Sequence, residues 1–212
     1  VYVDGFEEFT LTSTTTYAGG DQTYPYYIGM LGNGYPSYYW NGELDEVSVF
    51  ETELLSSDVT AIYNGGVPTS LTSYSPAGWW RMGDDSSDTA SANGSISTIT
   101  DSSGNGNDAT QSDTTSQPTF KALAQSTTSL SFDGSGDFFT TNNTVLNFYN
   151  TGGSISAWIK PSSVTGTGTD PYKNRSIINK GNVYLSLNVD ESGYPALYFY
   201  DGTVREVVAT TQ

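Results

Sequence analysis

The chain has 212 residues, of which 14% are aromatic and 14% are charged, and its formal net charge is −16. A negative field of this size repels phosphate, so it argues against binding to nucleic acids and to anionic membrane surfaces. The chain contains no cysteine and no histidine, which excludes disulfides, thiol and imidazole nucleophiles and nearly all zinc sites. The acidic excess favours a hard divalent cation such as Ca²⁺.

The composition also predicts an all-β protein. Threonine, tyrosine, valine and phenylalanine favour strands, and glycine and asparagine favour tight turns. Strands are predicted, in chain order, at residues 1–3, 6–12, 24–30, 38–40, 44–50, 130–134, 154–161, 176–180, 183–189, 196–200 and 204–209. Asn41-Gly42 is typical of a hairpin turn. One short helix is expected at residues 57–63, capped by Ser56 or Ser57 and closed by Asn64-Gly65.

The clearest boundary is a run rich in glycine, proline and serine at residues 65–76. Beyond it, residues 85–117 form a long polar stretch that is too rich in Ser, Thr, Asp, Asn and Gly to contribute to a core. We therefore expect a first unit at residues 1–67, a linker at residues 68–77 and a second unit at residues 78–212.

Several motifs carry a family resemblance. The sequence NGELDEVSVF at residues 41–50, followed by LSSDVTAIYNGG at residues 55–66, resembles the closing segment of bacterial and viral laminin-G-like domains. Trp79-Trp80, DSSGNGNDAT at 101–110, LSFDGSGDF at 130–138 and ISAWIKP at 155–161 resemble their opening segment. The laminin-G/concanavalin A-like resemblance implies an antiparallel two-sheet jelly-roll sandwich with one short helix. Since this fold carries lectins, enzymes and inert spacers alike, it does not by itself name a function.

The order of the motifs is unusual, because the closing segment precedes the opening segment. In a whole domain of this family, the strand at residues 204–209 leads through one further strand into the sequence at residues 1–5. Three arrangements stay open: the tail of one domain joined to the head of another, one permuted domain, or subunits that complete each other by strand exchange. We expect a segment of a longer multi-domain protein or assembly, with unpaired strand edges at both ends.

Glu43 and Asp45 are the most suggestive catalytic residues. Alternation along a strand places them on one face together with Val47, and it places Glu46 on the opposite face. The stretch resembles that of jelly-roll glucanases, which need a third carboxylate on the same face for retaining hydrolysis. Val47 occupies that position, or Ser48 if the strand carries a bulge, so no catalytic residue is assigned.

The loop at residues 101–108 is the best candidate for a cation site. Asp101, Asn105 and Asn107 present oxygen side chains at alternate positions, between glycines that let the backbone curl. The family resemblance implies that this loop lies near the strand that carries Asp45, where calcium is often found. The alternative is a plain loop in which the Asp101 and Asn side chains cap turns.

A dense aromatic cluster is the candidate ligand-binding surface. Tyrosine and tryptophan offer large contact areas at low entropic cost, which suits glycan or protein recognition. The residues assigned to ligand binding are Tyr35, Tyr38, Tyr39, Trp40 and Trp80. The alternative is an aromatic sheet face or core packing, which is the role that we expect for Trp158.

Together these features predict a non-catalytic module on the outside of a cell or on a virion, which binds carbohydrate or neighbouring protein subunits and holds a structural calcium ion. No apolar run is long enough to cross a membrane. One alternative is a structural assembly or spacer subunit of a fibre, sheath or phage particle. Another is a polysaccharide hydrolase that acts through Glu43.

Overall fold

The structure is a computed structural model, and it describes residues 1–8, 24–32, 38–90, 94–121, 128–141, 152–163, 175–181, 185–200 and 204–209. The strands are β1 (Tyr2–Val3), β2 (Phe6–Glu7), β3 (Tyr26–Ile28), β4 (Asn41–Phe50), β5 (Gly78–Trp80), β6 (Thr89–Ala90), β7 (Ile96–Ile99), β8 (Ala109–Thr110), β9 (Thr119–Lys121), β10 (Ser129–Asp133), β11 (Phe139–Thr141), β12 (Ser154–Pro161), β13 (Arg175–Lys180), β14 (Leu185–Val189), β15 (Pro195–Tyr200) and β16 (Val204–Val208). The helices are α1 (Ser56–Tyr63) and a 3-10 turn (Thr72–Tyr74).

The strands form two main antiparallel sheets and one small hairpin. The five-stranded sheet has the order β9-β10-β4-β12, and β5 pairs with the second half of β4, beyond the end of β10. The nine-stranded sheet has the order β6-β7-β8-β11-β3-β13-β14-β15-β16, and β1 pairs only with β2. The expected all-β, antiparallel two-sheet sandwich with one short helix is confirmed.

Strand pairing runs across the predicted linker at residues 68–77. From the first unit, β3 lies between β11 and β13, and β4 lies between β12 on one side and β5 and β10 on the other. Strands from both predicted units therefore build the same two sheets. The division of the chain into units remains a prediction.

A central core lies between the two main sheets. Its fully buried members come from both sheets and from two residues next to them, Trp40 and Met82. They are Tyr26, Ile28, Trp40, Leu44, Val47, Val49, Trp80, Met82, Ile96, Ile99, Ala109, Leu130, Phe132, Phe139, Ile177, Ile178 and Val189. The expectation that residues 85–117 contribute no core is wrong, because Ile96, Ile99 and Ala109 are fully buried. Their strands are only two to four residues long, too short to show a period against a polar background.

The outer face of the five-stranded sheet is covered in part by α1. Ile62 of α1 packs with Phe50, Leu71 and Trp79 in a second apolar cluster. The helix begins one residue earlier than expected, with Leu55 at the N-cap. The predicted serine caps are therefore wrong, and the Leu55 backbone N–H donates instead to Asp58 Oδ2 at 3.0 Å.

Trp158 is not the core residue that the sequence predicts. Ile155, Ala157 and Ile159 pack against the central core, so alternation along β12 turns Trp158 to the other face. Its ring is half-buried and stacks on Tyr63 of α1, with the centroids 5.9 Å apart.

Candidate functional site

The carboxylates of β4 lie on the face of the five-stranded sheet that meets α1. Leu44 points into the central core, so alternation turns Glu43 and Asp45 outward. Both are nonetheless buried. One oxygen of Glu43 lies 3.7 Å from the ammonium of Lys121 and 3.6 Å from that of Lys160. Two lysines therefore share one carboxylate.

A β-bulge follows Asp45. Asp45 pairs with Trp158 and Ser48 pairs with Ser156, so three steps along β4 match two steps along β12. A bulge inserts one residue and changes the direction of the side chains beside it. Ser48 therefore follows Glu43 and Asp45 on the same face, at the position where a third carboxylate would be needed. Its hydroxyl is buried and finds no hydrogen-bond partner among the described residues.

Glu46 sits in this bulge with a φ of 47°, in the left-handed region. Its carboxylate accepts hydrogen bonds from Trp79 Nε1 and from Arg81 Nε, the latter at 3.3 Å. Plain alternation predicts that Glu46 faces away from Glu43 and Asp45. This prediction is wrong, because Glu46 binds Trp79, which belongs to the cluster beneath α1. Burial raises the pKa of Glu46, and the bonds from Trp79 and Arg81 act in the opposite direction.

The loop at residues 101–108 is organised around Asp101. Its Oδ1 accepts the backbone N–H groups of Trp79 and Ser103, each at 3.0 Å, and its Oδ2 accepts that of Asn107 at 2.9 Å. The Asn107 side chain in turn donates to the Ala77 carbonyl at 2.7 Å. A buried carboxylate thus satisfies three backbone donors and ties the loop to the start of β5.

The four predicted calcium ligands are not brought together as one set. Asn105 donates to the same carbonyl as Asn107, so these two and Asp101 share one loop. Asp45 lies on β4, and β5 intervenes because Trp80 pairs with β4 on one side and bridges Asp101 on the other. That separation is two strand spacings, or about 10 Å. The described residues hold no group of three or more acidic side chains placed to bind a metal ion. Calcium stays a prediction.

Two of the predicted ligand-binding residues lie in the central core. Trp40 and Trp80 both have an exposed fraction of 0%. Trp80 Nε1 donates to the Asn107 carbonyl at 2.8 Å, which anchors the indole to the loop at residues 101–108. In this structure neither ring presents a face to a ligand, so both follow the alternative of core packing.

The tyrosines of the predicted cluster have different surroundings. Tyr38 is buried, and Tyr35 lies outside the described residues. Tyr39 is half-buried, and its ring lies 6.4 Å from that of Phe138, which is half-buried as well. The Tyr39 carbonyl accepts a hydrogen bond from Arg175 Nη1 at 2.8 Å. Tyr39 and Phe138 are therefore an aromatic pair accessible to solvent.

Sequence reasoning missed a row of hydroxyl groups on the outer face of the nine-stranded sheet. Direct cross-strand pairs join five consecutive strands, and the paired residues are Thr89 of β6, Thr98 of β7, Thr110 of β8, Thr140 of β11 and Tyr27 of β3. We call this set the threonine row. The residues next to Thr98, Thr110, Thr140 and Tyr27 point into the central core, so these four side chains lie on the outer face. Thr89 pairs directly with Thr98 and therefore shares that face. Each is exposed or half-exposed.

The threonine row continues into a buried polar patch. Asn179 pairs with Tyr27, and Ser186 and Tyr198 follow on the next two strands. These three side chains are buried. Asn179 Oδ1 accepts the backbone N–H of Gly32 at 3.0 Å, so the chain that follows β3 closes over this end of the row. The open part of the face therefore runs from Thr89 to Tyr27.

A lysine points toward the inside of the sandwich. Lys180 pairs with Tyr26, and its ammonium lies 4.6 Å from the centroid of that ring. Burial lowers the pKa of Lys180 from 10.5 to about 8, and the charge of Glu51 acts in the opposite direction. The ammonium has no hydrogen-bond partner among the described residues.

Comparison with protein-family models, with curated proteins and with solved structures finds no match for this chain. The laminin-G-like resemblance therefore stays a prediction based on its motifs. Within the described ranges, no helix is long and apolar enough to span a membrane.

Proposed function

We propose that the chain is a non-catalytic carbohydrate-binding module, on the outside of a cell or on a virion, whose ligand lies along the threonine row. The observation that carries the proposal is the unbroken series of hydroxyl side chains on five neighbouring strands. A hydroxyl group both donates and accepts hydrogen bonds, so it matches the hydroxyls of a sugar in either sense. Four strand spacings give the row a length of about 19 Å.

The aromatic pair beside the row supports the same ligand. Phe138 precedes Thr140 by two residues, so alternation places it on the outer face, and Tyr39 lies against it. An aromatic ring packs well against the apolar face of a pyranose, while nearby hydroxyls bind the edge of the sugar. Tyr27, within the row itself, contributes a third half-exposed ring.

Charge narrows the ligand class. With a net charge of −16, the chain repels polysaccharides that carry carboxylate or sulfate groups. The five side chains of the threonine row are uncharged. An extended neutral polysaccharide therefore fits the surface better than an acidic one.

The carboxylates of β4 support binding without hydrolysis. Retaining hydrolysis requires one carboxyl group as acid and a second as nucleophile, on either side of the glycosidic bond. Glu43 and Asp45 are less than a tenth exposed, and Glu43 lies between two lysines. Ser48 stands where the third carboxylate would be needed.

A glycan array followed by titration with soluble neutral glucans and xylans tests the proposal. Thr98→Val and Thr110→Val keep the β-branched shape and remove one hydroxyl each. Each is expected to weaken binding by about 0.5–1.5 kcal/mol, or roughly two- to tenfold. Thr119→Val, an exposed threonine of β9 on the other sheet, is the matched control. Retention of no glycan on the array, or an equal loss in the Thr119 variant, would disprove the proposal.

A further inference from the structure

The second edge of β12 is open among the described residues. β12 pairs with β4 along its whole length, from Ser154 opposite Phe50 to Pro161 opposite Gly42. It ends the strand order of its sheet. An eight-residue edge of this kind presents a row of backbone donors and acceptors that another strand can pair with.

Side-chain burial falls sharply at this edge. Nearly every residue of β4 is buried, whereas residues 154–159 of the adjacent β12 are all half-exposed. Ile155, Ala157 and Ile159 pack against the central core on one side only. An apolar neighbour on the open side would therefore complete their burial.

The opposite sheet extends beyond β12. The two main sheets meet at the end opposite to β12, where Ser95, next to β7, forms a bridge with Thr119 of β9. In the five-stranded sheet, β12 is the fourth strand counted from β9. In the nine-stranded sheet, eight strands follow one another from β7 to β16. Leu187 of β14 faces the central core and pairs with Leu197 of β15. Both leucines are half-exposed, so the core-facing side of β14 and β15 is an apolar shelf that the five-stranded sheet leaves partly uncovered.

We propose that the open edge of β12 binds a single extended polypeptide segment as an added β-strand. Alternate apolar side chains of that segment would cover Leu187 and Leu197 while its backbone pairs with β12. The edge also favours a carboxylate on the added strand. Lys160 has a side chain that is 72% exposed, and it shares the one carboxylate of Glu43 with Lys121.

The shelf decides against pairing with β12 of a second copy. If a second copy paired its β12 with this edge, its nine-stranded sheet would also extend beyond its own β12. The nine-stranded sheets of the two copies would then occupy the same space. Two chains of charge −16 would also repel each other. The segment that fits is one strand without a second layer of structure behind it.

Capped synthetic octapeptides test this strand addition to the intact chain. The first peptide alternates valine with threonine and carries one glutamate, and a scrambled peptide of the same composition is its control. Calorimetry is expected to detect binding of the alternating peptide alone, and hydrogen exchange is expected to slow at those amides of residues 154–160 that face away from β4. N-methylation along one edge of the peptide is expected to abolish binding, and N-methylation along the other edge to preserve it.

The charge preference gives a second measurement. Replacing the glutamate of the peptide by lysine is expected to weaken binding about two- to fivefold, and the Lys160→Met variant to lose this difference. Equal binding of the scrambled peptide, or equal effects of N-methylation on both edges, would overturn the proposal. Sedimentation that shows a dimer with residues 154–161 protected in the absence of peptide would assign the edge to a second copy instead, and would also overturn it.

Discussion

Buried ionisable side chains differ in how their charge is compensated. The carboxylate of Glu46 is held by Trp79 Nε1 and the Arg81 guanidinium. Asp101 accepts three backbone N–H groups. Among the described residues, the Lys180 ammonium has no hydrogen-bond partner, and it is compensated by the face of the Tyr26 ring at 4.6 Å and by the charge of Glu51. Because a buried charge without hydrogen bonds is costly, Lys180 is the position where removing a charge should help.

Replacing Lys180 by methionine is expected to stabilise the fold at pH 7. The pKa of Lys180 falls from 10.5 to about 8 on folding, so between these values the unfolded state binds more protons. Stability therefore rises with pH across that window in the native chain. Lys180→Met should raise the free energy of unfolding at pH 7 by on the order of 3 kcal/mol, and the gain should shrink toward pH 10. Urea titrations at pH 7 and pH 9.5 measure both effects.

Lys121→Met is the matched control, because that lysine side chain is 56% exposed. Lys160 still faces the Glu43 carboxylate in this variant, so stability is expected to fall by no more than about 1 kcal/mol. A Lys180→Met variant that loses stability at pH 7, with a difference that is independent of pH, would show that the ammonium is already well solvated.

At the scale of elements, sequence patterns predicted long strands well and short ones poorly. β10 and β12 alternate clearly, and the structure has strands at those positions. β4 begins at Asn41, so the hairpin turn expected at Asn41-Gly42 is wrong, because both residues pair with β10 as part of the strand. The short strands β6–β8 were missed because the polar residues around them hide any period. The bulge in β4 was predicted only as an alternative. Glu46 adopts a left-handed backbone conformation, and the sequence does not indicate this because the position is not a glycine.

The start of α1 yields an element-scale prediction. Leu55 occupies the N-cap without a side-chain cap hydrogen bond, and its own side chain is 66% exposed. Leu55→Ser would add a hydroxyl acceptor for the free N–H groups of the first turn without a loss of packing. We expect a gain of about 1 kcal/mol in the free energy of unfolding. Thermal and urea melts monitored by tryptophan fluorescence measure this gain, since Trp79 packs against α1.

Ser57→Ala provides the contrast for the cap. If the helix begins as the structure has it, Ser57 lies within the first turn and its loss should change stability by only a few tenths of a kcal/mol. A loss near 1 kcal/mol in Ser57→Ala, together with no gain in Leu55→Ser, would move the cap to Ser57.

At the scale of the molecule, what the sequence could not supply is strand order. Each threonine of the threonine row follows or precedes an apolar residue, so alternation alone places it on the polar side of its own strand. The row exists only because β6, β7, β8, β11 and β3 are neighbours, and β3 comes from the far side of the linker. The prediction of Trp40 and Trp80 as ligand-binding residues failed for the same reason. Both rings are buried by the facing sheet, and local sequence does not show which sheet that is. Local patterns fix faces, and long-range pairing decides which faces meet.

Pairing across the linker predicts how the chain behaves when it is divided. β4 lies at the centre of the five-stranded sheet and β3 joins the two halves of the nine-stranded sheet, so a fragment of residues 67–212 lacks the middle of both. Neither that fragment nor residues 1–66 is expected to melt cooperatively alone, whereas an equimolar mixture should recover native fluorescence and a cooperative transition. A short Gly-Ser insertion after Gly66 is the control, and it should cost less than about 1 kcal/mol, because lengthening an exposed loop is cheap. Calorimetry of the fragments decides the matter. A cooperative transition in residues 67–212 alone, at the melting temperature of the whole chain, would show that the two units fold independently and that β3 and β4 are dispensable to the sandwich.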